Sequence, residues 1–393
     1  MGVLSDYIAQ GLTFDQITAE RKVQLNAIST ARGHRDILVY AADMMKQGAP
    51  TGLDYSDLAP IADQLANLSG QAIDVILETP GGLAEVAEDV VRVLHDKYDE
   101  VAFIIPGWAK SAGTIMAMAG NEILMGTTSA LGPIDAQQVT PGKQFSADAF
   151  LEGLEKIKAE TDRTGSLNRA YIPILQGISP GEIQAAQNAM KFSRVLVGEW
   201  LAKYKFKNWV THSGNGQPVT SRQRRARAQA IARKLGNHRR WLTHGRSLRI
   251  EDLEGMGLKI FHYGSDPALS DAIARYQALL LMTFQTTLDR NIYKIFETPL
   301  SQVYRQMISV QSAVAGGGAP APGGVNAVVD FTCPTCSTAH KLQAKLAPGQ
   351  PLLAGTQPFP ADGNFTCPVC GTTTDLSAIK AQIEAQVGTQ ILP

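Results

Sequence analysis

The sequence predicts an α/β fold, a parallel-type sheet covered by helices, followed by a small cysteine-bearing domain. Three observations predict it. Between residues 36 and 125, four short apolar runs alternate with stretches of helical period. Residues 315–327 are a run of Gly, Pro and Ala that reads as a flexible linker. All four cysteines lie beyond that run, in two Cys-x-x-Cys pairs.

The elements follow in order. Residues 13–32 read as a charged helix, and Asp36-Ile37-Leu38-Val39-Tyr40 as a buried strand. Ser56 is a candidate cap for a helix with Leu58, Ile61, Leu65 and Leu68 on one stripe. Ile73 to Glu78 is a second strand, and Val86, Val90, Val93 and Leu94 then recur at helical spacing. Val101 to Ile105 is a third strand, Ala112 to Ala119 a helix of small and apolar residues, and Glu122 to Met125 a fourth strand. From about 145 to 312 the pattern is mainly helical. The predicted division is therefore a first domain over 1–312, a linker over 313–327 and a second domain over 328–393. The chain closes on an amphipathic helix bearing Leu376, Ile379, Ile383 and Val387.

At 393 residues the chain is long for one domain and can bury a sizeable core. Lys plus Arg equals Asp plus Glu, 36 each, so no global charge points to nucleic acid or a membrane surface. The N-terminal residues reach a charge at Asp6, unlike a signal peptide, and the apolar run Ala278 to Phe284 is far shorter than a membrane span. A soluble, cytoplasmic protein is expected. Arg222, Arg224, Arg225, Arg227, Arg233, Lys234, Arg239 and Arg240 form a basic run with only Trp241 interleaved. It reads as a solvated helix or an inter-subunit surface rather than a nucleic-acid site.

Two segments carry chemistry. Glu78-Thr79-Pro80-Gly81-Gly82 leaves a strand and enters a helix, so its glycines let backbone N–H groups approach a ligand. Ser111, in Ala109-Lys110-Ser111-Ala112-Gly113-Thr114, also stands where a turn enters a helix, with small neighbours that leave its hydroxyl uncovered. Alone, the first is an ordinary turn and the second a helix cap. Paired, they supply a nucleophile and an oxyanion site.

These segments, with Leu131-Gly132-Pro133-Ile134-Asp135 and Gly255-Met256-Gly257-Leu258, resemble the serine dehydrogenase proteinase family. That family is a branch of the ClpP/crotonase superfamily similar to signal peptide peptidase A. The resemblance runs from about Asp36 to Ile260. It implies a ClpP/crotonase-like core, a serine endopeptidase acting on protein or peptide, and a homo-oligomer. It implies Ser111 as nucleophile and an oxyanion hole from Gly81, Gly82 and Ala112. No Gly-x-Gly-x-x-Gly dinucleotide fingerprint follows a strand.

The general base is where the chain departs from these relatives. The stretch where ClpP carries its histidine holds none here. Lys156 and Lys158 fall where the signal peptide peptidases carry a lysine, and a lysine serves as base only if its pKa is depressed. His244, in Thr243-His244-Gly245-Arg246, is the third candidate. Lys110 is expected to point away from the nucleophile.

Cys333, Cys336, Cys367 and Cys370 lie in two Cys-Pro-x-Cys knuckles, a four-sulfur set suited to a structural zinc ion. The domain resembles a zinc ribbon, with His340 a possible but unneeded ligand. Two other functions fit parts of the pattern. One is a crotonase-type acyl-CoA enzyme, which has no need of Ser111. The other is a non-catalytic scaffold whose ribbon binds a partner.

Overall fold

In the computed structural model the chain divides into two units, Met1–Met307 and Ile308–Pro393. The structure describes residues 2–140, 143–212, 214, 216–285, 291–307, 327–336, 338–387 and 390–392. The expected linker over 313–327 lies outside the described residues except for its last one.

The first unit begins with helices α1 (Val3–Gln10) and α2 (Phe14–Ala31), then strand β1 (Asp36–Ala42). Thr13 caps α2 in a reciprocal capping box with Gln16. A short 3₁₀ turn, Tyr55–Asp57, leads into α3 (Leu58–Ala66). Here the cap differs from expectation. Asp54 accepts the Ser56 N–H at 2.8 Å, because a carboxylate one turn earlier already serves the first free donors.

Next come β2 (Ala72–Glu78), α4 (Ala84–Lys97), β3 (Glu100–Ile105), the two-residue β4 (Trp108–Ala109), α5 (Ala112–Ala117), β5 (Glu122–Met125) and β6 (Ala130–Leu131). A hairpin of β7 (Gln137–Thr140) and β8 (Lys143–Ser146) precedes α6 (Ala147–Thr164), α7 (Ile172–Gln176), α8 (Pro180–Trp200), α9 (Ser221–Leu235), α10 (His238–Trp241) and α11 (Ile250–Met256). The unit ends with β9 (Phe261–His262), α12 (Pro267–Gln285), β10 (Ile292–Glu297) and β11 (Gln302–Gln306).

Seven strands form the main sheet in the order β11-β10-β1-β2-β3-β5-β9. The run from β1 to β9 is parallel, as expected. The last two strands pair antiparallel on its β1 edge, in a stretch expected to be mainly helical. Burial explains the departure. Lys294 of β10 is buried and holds Asp57 at 2.8 Å, while Glu297 takes Arg21 of α2 at 3.0 Å. These pairs neutralise charges that would otherwise be stranded in the interior.

The sheet carries a layer on each face. Ile37, Val39 and Ala41 alternate with Leu38 and Tyr40, the former facing α2 and α12. Leu38, Val75 and Phe103 face a larger core built with α3, α4, α5, α8, α9 and α11.

The second unit has a three-stranded sheet of β12 (Ala327–Thr332), β13 (Ala339–Ala344) and β14 (Gln357–Pro358), a hairpin of β15 (Asn364–Thr366) and β16 (Thr373–Asp375), and helix α13 (Ser377–Val387). Its core joins Leu342, Phe359, Phe365, Leu376 and Ile383 to Cys333 and Cys367, with Ile379 packed against it. The side chain of Val387 lies outside the described residues.

Candidate active site and metal centre

The two predicted segments leave the carboxyl ends of neighbouring parallel strands, β2 and β3. That is where open α/β sheets place their ligands. The loops are laced together: the Thr79 N–H donates to Trp108 O at 3.0 Å and the Lys110 N–H to Thr79 O at 2.9 Å.

Gly81 O accepts the Leu53 N–H at 2.7 Å. In a planar trans peptide this turns the Gly82 N–H away from Leu53. The Gly81 N–H is itself donated to Thr79 Oγ1 at 3.1 Å. Among the described residues, neither the Gly82 nor the Ala112 N–H has a hydrogen-bond acceptor. Gly81 supplies clearance instead: a Cβ there would lie 2.5 Å from Ser111 Cβ and 3.1 Å from Ala112 N. Its φ of +108° is also one that L side chains rarely adopt.

Ser111 is half-buried and stands at the head of α5 with φ 49° and ψ −116°. A non-glycine residue at positive φ costs on the order of 1–3 kcal/mol, held by its surroundings. Thr114 supplies part of that hold. Its hydroxyl donates to Ala109 O at 2.8 Å and accepts the Gly132 N–H at 2.8 Å. The segment 131–135, which runs on from β6, is thereby laid against Ser111; a Cβ at Gly132 would be 3.5 Å from Ser111 N.

That segment carries Asp135, whose side chain is buried between two histidines. Asp135 Oδ1 pairs with His244 Nδ1 at 2.8 Å, and Oδ2 with His238 Nδ1 at 3.0 Å. Gln137 Nε2 also donates to Oδ2, at 3.1 Å. Burial pushes the Asp135 pKa up, but the hydrogen bonds and charge of His244, then of His238, outweigh it and hold the carboxyl below its ordinary value. With Nδ1 on the carboxylate, His244 has Nε2 left to exchange a proton.

The His244 loop is seated by reciprocal backbone bonds between Leu131 and Leu248, 3.0 Å each. Lys110 adds to this seating. Its amine bonds Leu131 O and Arg246 O at 3.1 Å and Ser247 Oγ at 3.0 Å. Burial, then the charge of Arg249, pushes that amine down to about 8.

Lys156 and Lys158 lie on the exposed side of α6, where Lys156 pairs with Glu152 at 2.9 Å. No hydrogen bond or ion pair among the described residues links either lysine to Ser111 or Asp135. Sequence reasoning gave no role to Asp135 or His238. Asp135 could have been found, since it ends the motif Leu131-Gly132-Pro133-Ile134-Asp135.

In the second unit the four cysteine sulfurs all lie within 4.8 Å of one another. Cys333 and Cys370 are 3.5 Å apart and Cys336 and Cys367 3.7 Å. Sulfurs tetrahedral about zinc at its usual bond length stand about 3.8 Å apart, so the set fits a metal ion. The two knuckles are near copies: Cys333 N–H donates to Thr338 O and Cys367 N–H to Thr372 O, both at 2.9 Å. His340 is buried with Nε2 3.3 Å from Cys367 Sγ, as a sulfur neighbour outside the four-sulfur set.

The model of the ClpP-like SDH-type serine proteinase family matches residues 65–172. That stretch holds the glycine turn, Ser111 and Asp135, and ends before the two histidines. The resemblance read from the motifs is therefore the family this stretch matches, and the α/β core is ClpP-like. Two uncharacterized proteins of Methanocaldococcus jannaschii are similar. One is 37% identical over 93 residues, 23% of this chain and 30% of the relative. The other is 32% identical over 147 residues, 34% of this chain and 48% of the relative. The chain thus spans less than half the length of these curated relatives. Among solved structures, a mutant of the 1510-N membrane-bound stomatin-specific protease aligns at 15% identity and TM-score 0.29, covering 52% of this chain and 70% of that one. Among the described residues, no helix is long and apolar enough to cross a membrane.

Proposed function

We propose that this protein is a serine endopeptidase in which Ser111 attacks the peptide carbonyl and His244 is the general base. His244 Nε2 takes the hydroxyl proton as Ser111 Oγ bonds the carbonyl carbon. The N–H groups of Gly82 and Ala112 receive the oxyanion. Asp135 orients His244 and stabilises the imidazolium. The imidazolium then protonates the leaving amine, and water, activated by the same histidine, frees the acyl group. The observation that carries this reading is the pairing of His244 with the buried Asp135, on the segment that Gly132 lays against Ser111, together with two N–H groups, of Gly82 and Ala112, that have no acceptor among the described residues. An acyl-CoA enzyme built on the glycine turn would have no use for that pair.

The base is tested by comparing hydrolysis of a short peptide by His244→Ala, Lys156→Ala and Lys158→Ala. His244→Ala is expected to lose about 10²–10⁴-fold in kcat, the contribution of a general base. The two lysine variants are expected to keep the parent rate. A normal rate in folded His244→Ala defeats the assignment.

For the second unit we propose a structural Zn²⁺ held by Cys333, Cys336, Cys367 and Cys370. All four ligand positions are sulfur, which leaves none open for substrate and gives the ion a folding role.

A further inference from the structure

A cleft of about 1140 Å³ runs between α6, α8 and α9, with none of Ser111, Asp135 and His244 in its lining. Its walls carry seven cations, four on α8 and the π turn after it (Leu201–Lys205 and on to Lys207) and three on α9, against one carboxylate, Glu199. None of the seven forms an ion pair among the described residues. Lys191, Lys207, Arg225 and Arg233 are exposed, and their side chains have no hydrogen-bond partner there either. Between the cations, Met190, Val195 and Ala232 give apolar lining, and Val195 is 42% exposed. Leaving this much like charge together is unfavourable unless an anion joins it.

The chemistry selects among anions. No lining residue is aromatic, so nucleic-acid bases would have nothing to stack on. An apolar strip between rows of cations instead matches a helix with Leu-type residues on one face and carboxylates flanking it. The cleft also adjoins the candidate active site. Arg194, on its wall, donates to Gly236 O at 2.8 Å, and α9 ends at Leu235, whose carbonyl accepts the Ile134 N–H at 3.1 Å. Asp135 and His238 follow directly.

We propose that this cleft docks an acidic amphipathic segment of the protein substrate. The proposal rests on the peptidase reading only in calling the occupant a substrate. Binding is measured by fluorescence anisotropy on full-length Ser111→Ala, with a labelled peptide of Glu and Leu at helical spacing, about five turns long. Saturable binding is expected, weakening as salt is raised. The double reversal Arg225→Glu with Arg233→Glu is expected to weaken it by about tenfold or more while keeping the parent melting curve. No saturable binding, binding unchanged by the double reversal, or tighter binding of a single-stranded oligonucleotide of equal charge overturns the proposal. Hydrolysis separates the two readings. A short neutral peptide and the same peptide with the acidic extension are compared on the unmodified protein, and a higher kcat/KM for the extended one is expected. If neither is cleaved while binding behaves as stated, the peptidase reading fails and the docking site stands. If both are cleaved equally, substrate docking fails and the peptidase reading stands.

Discussion

Glu78 ends β2 just before the glycine turn and is buried, with Gln277 Nε2, at 3.1 Å, its one side-chain hydrogen-bond partner among the described residues. Burial pushes its pKa up to about 7, against smaller lowering by Gln277 and the Gly107 backbone. The unfolded chain releases this proton near pH 4.3, the folded chain near 7, so folding binds a proton between those values. The stability that Glu78 contributes is present below about 4.3 and is lost as pH rises through 7. Glu78→Gln, which keeps the acceptor for Gln277, should therefore stabilise the protein above pH 7 by on the order of 3–4 kcal/mol and flatten the profile. Denaturant midpoints at about pH 5 and about pH 8 check this. A variant with the parent's pH slope would show that Glu78 is ionised in the fold. Asp135 has the opposite sign: its depressed pKa lends stability above the unfolded value, lost as pH falls through the folded one.

At the scale of elements, the glycine turn and the head of α5 must approach closely, and Gly81 sets how closely. Gly81→Ala would force its methyl against Ser111 Cβ and Lys110 O at positive φ. It should remove most peptidase activity while the sheet stays folded, read as lost turnover with an unchanged far-ultraviolet spectrum. Retained activity would mean that the two loops need not touch. This part of the site was legible in the sequence because strand, turn and helix are local and each segment signals its own geometry. The Asp135–His244 pair was not legible, because it spans 109 residues and depends on how the α9–α11 layer folds back. Lys156 and Lys158 entered as candidates through the resemblance, by their distance along the chain from Ser111, and chain distance carries no information about which side of α6 faces solvent. The antiparallel pair β10 and β11 was hidden for a related reason. Its charged Lys294 and Glu297 mask a buried strand until Asp57 and Arg21 are brought to them by the rest of the fold.

At the scale of the whole molecule, the two units have separate cores, one built on the seven-stranded sheet and one on residues around the cysteines. Zinc affinity in such a small unit is folding energy. A chelator should therefore unfold the second unit, with one equivalent of zinc released per chain, while the melting transition of the first persists. Elemental analysis with calorimetry before and after chelation reads both. No zinc in the purified chain, or loss of both transitions together, would contradict the proposed division of labour. The α/β class, the parallel run and the cysteine-bearing unit were all legible at this scale, since alternation and Cys spacing survive without tertiary context.

The proposed mechanism turns on Ser111 being an activated nucleophile. A fluorophosphonate probe read by intact mass and peptide mapping tests it most directly. One adduct per chain on Ser111 is predicted, absent in Ser111→Ala and formed far more slowly in His244→Ala and Asp135→Asn. A folded protein that takes no adduct, or takes it at another residue with Ser111 unmodified, would contradict the account.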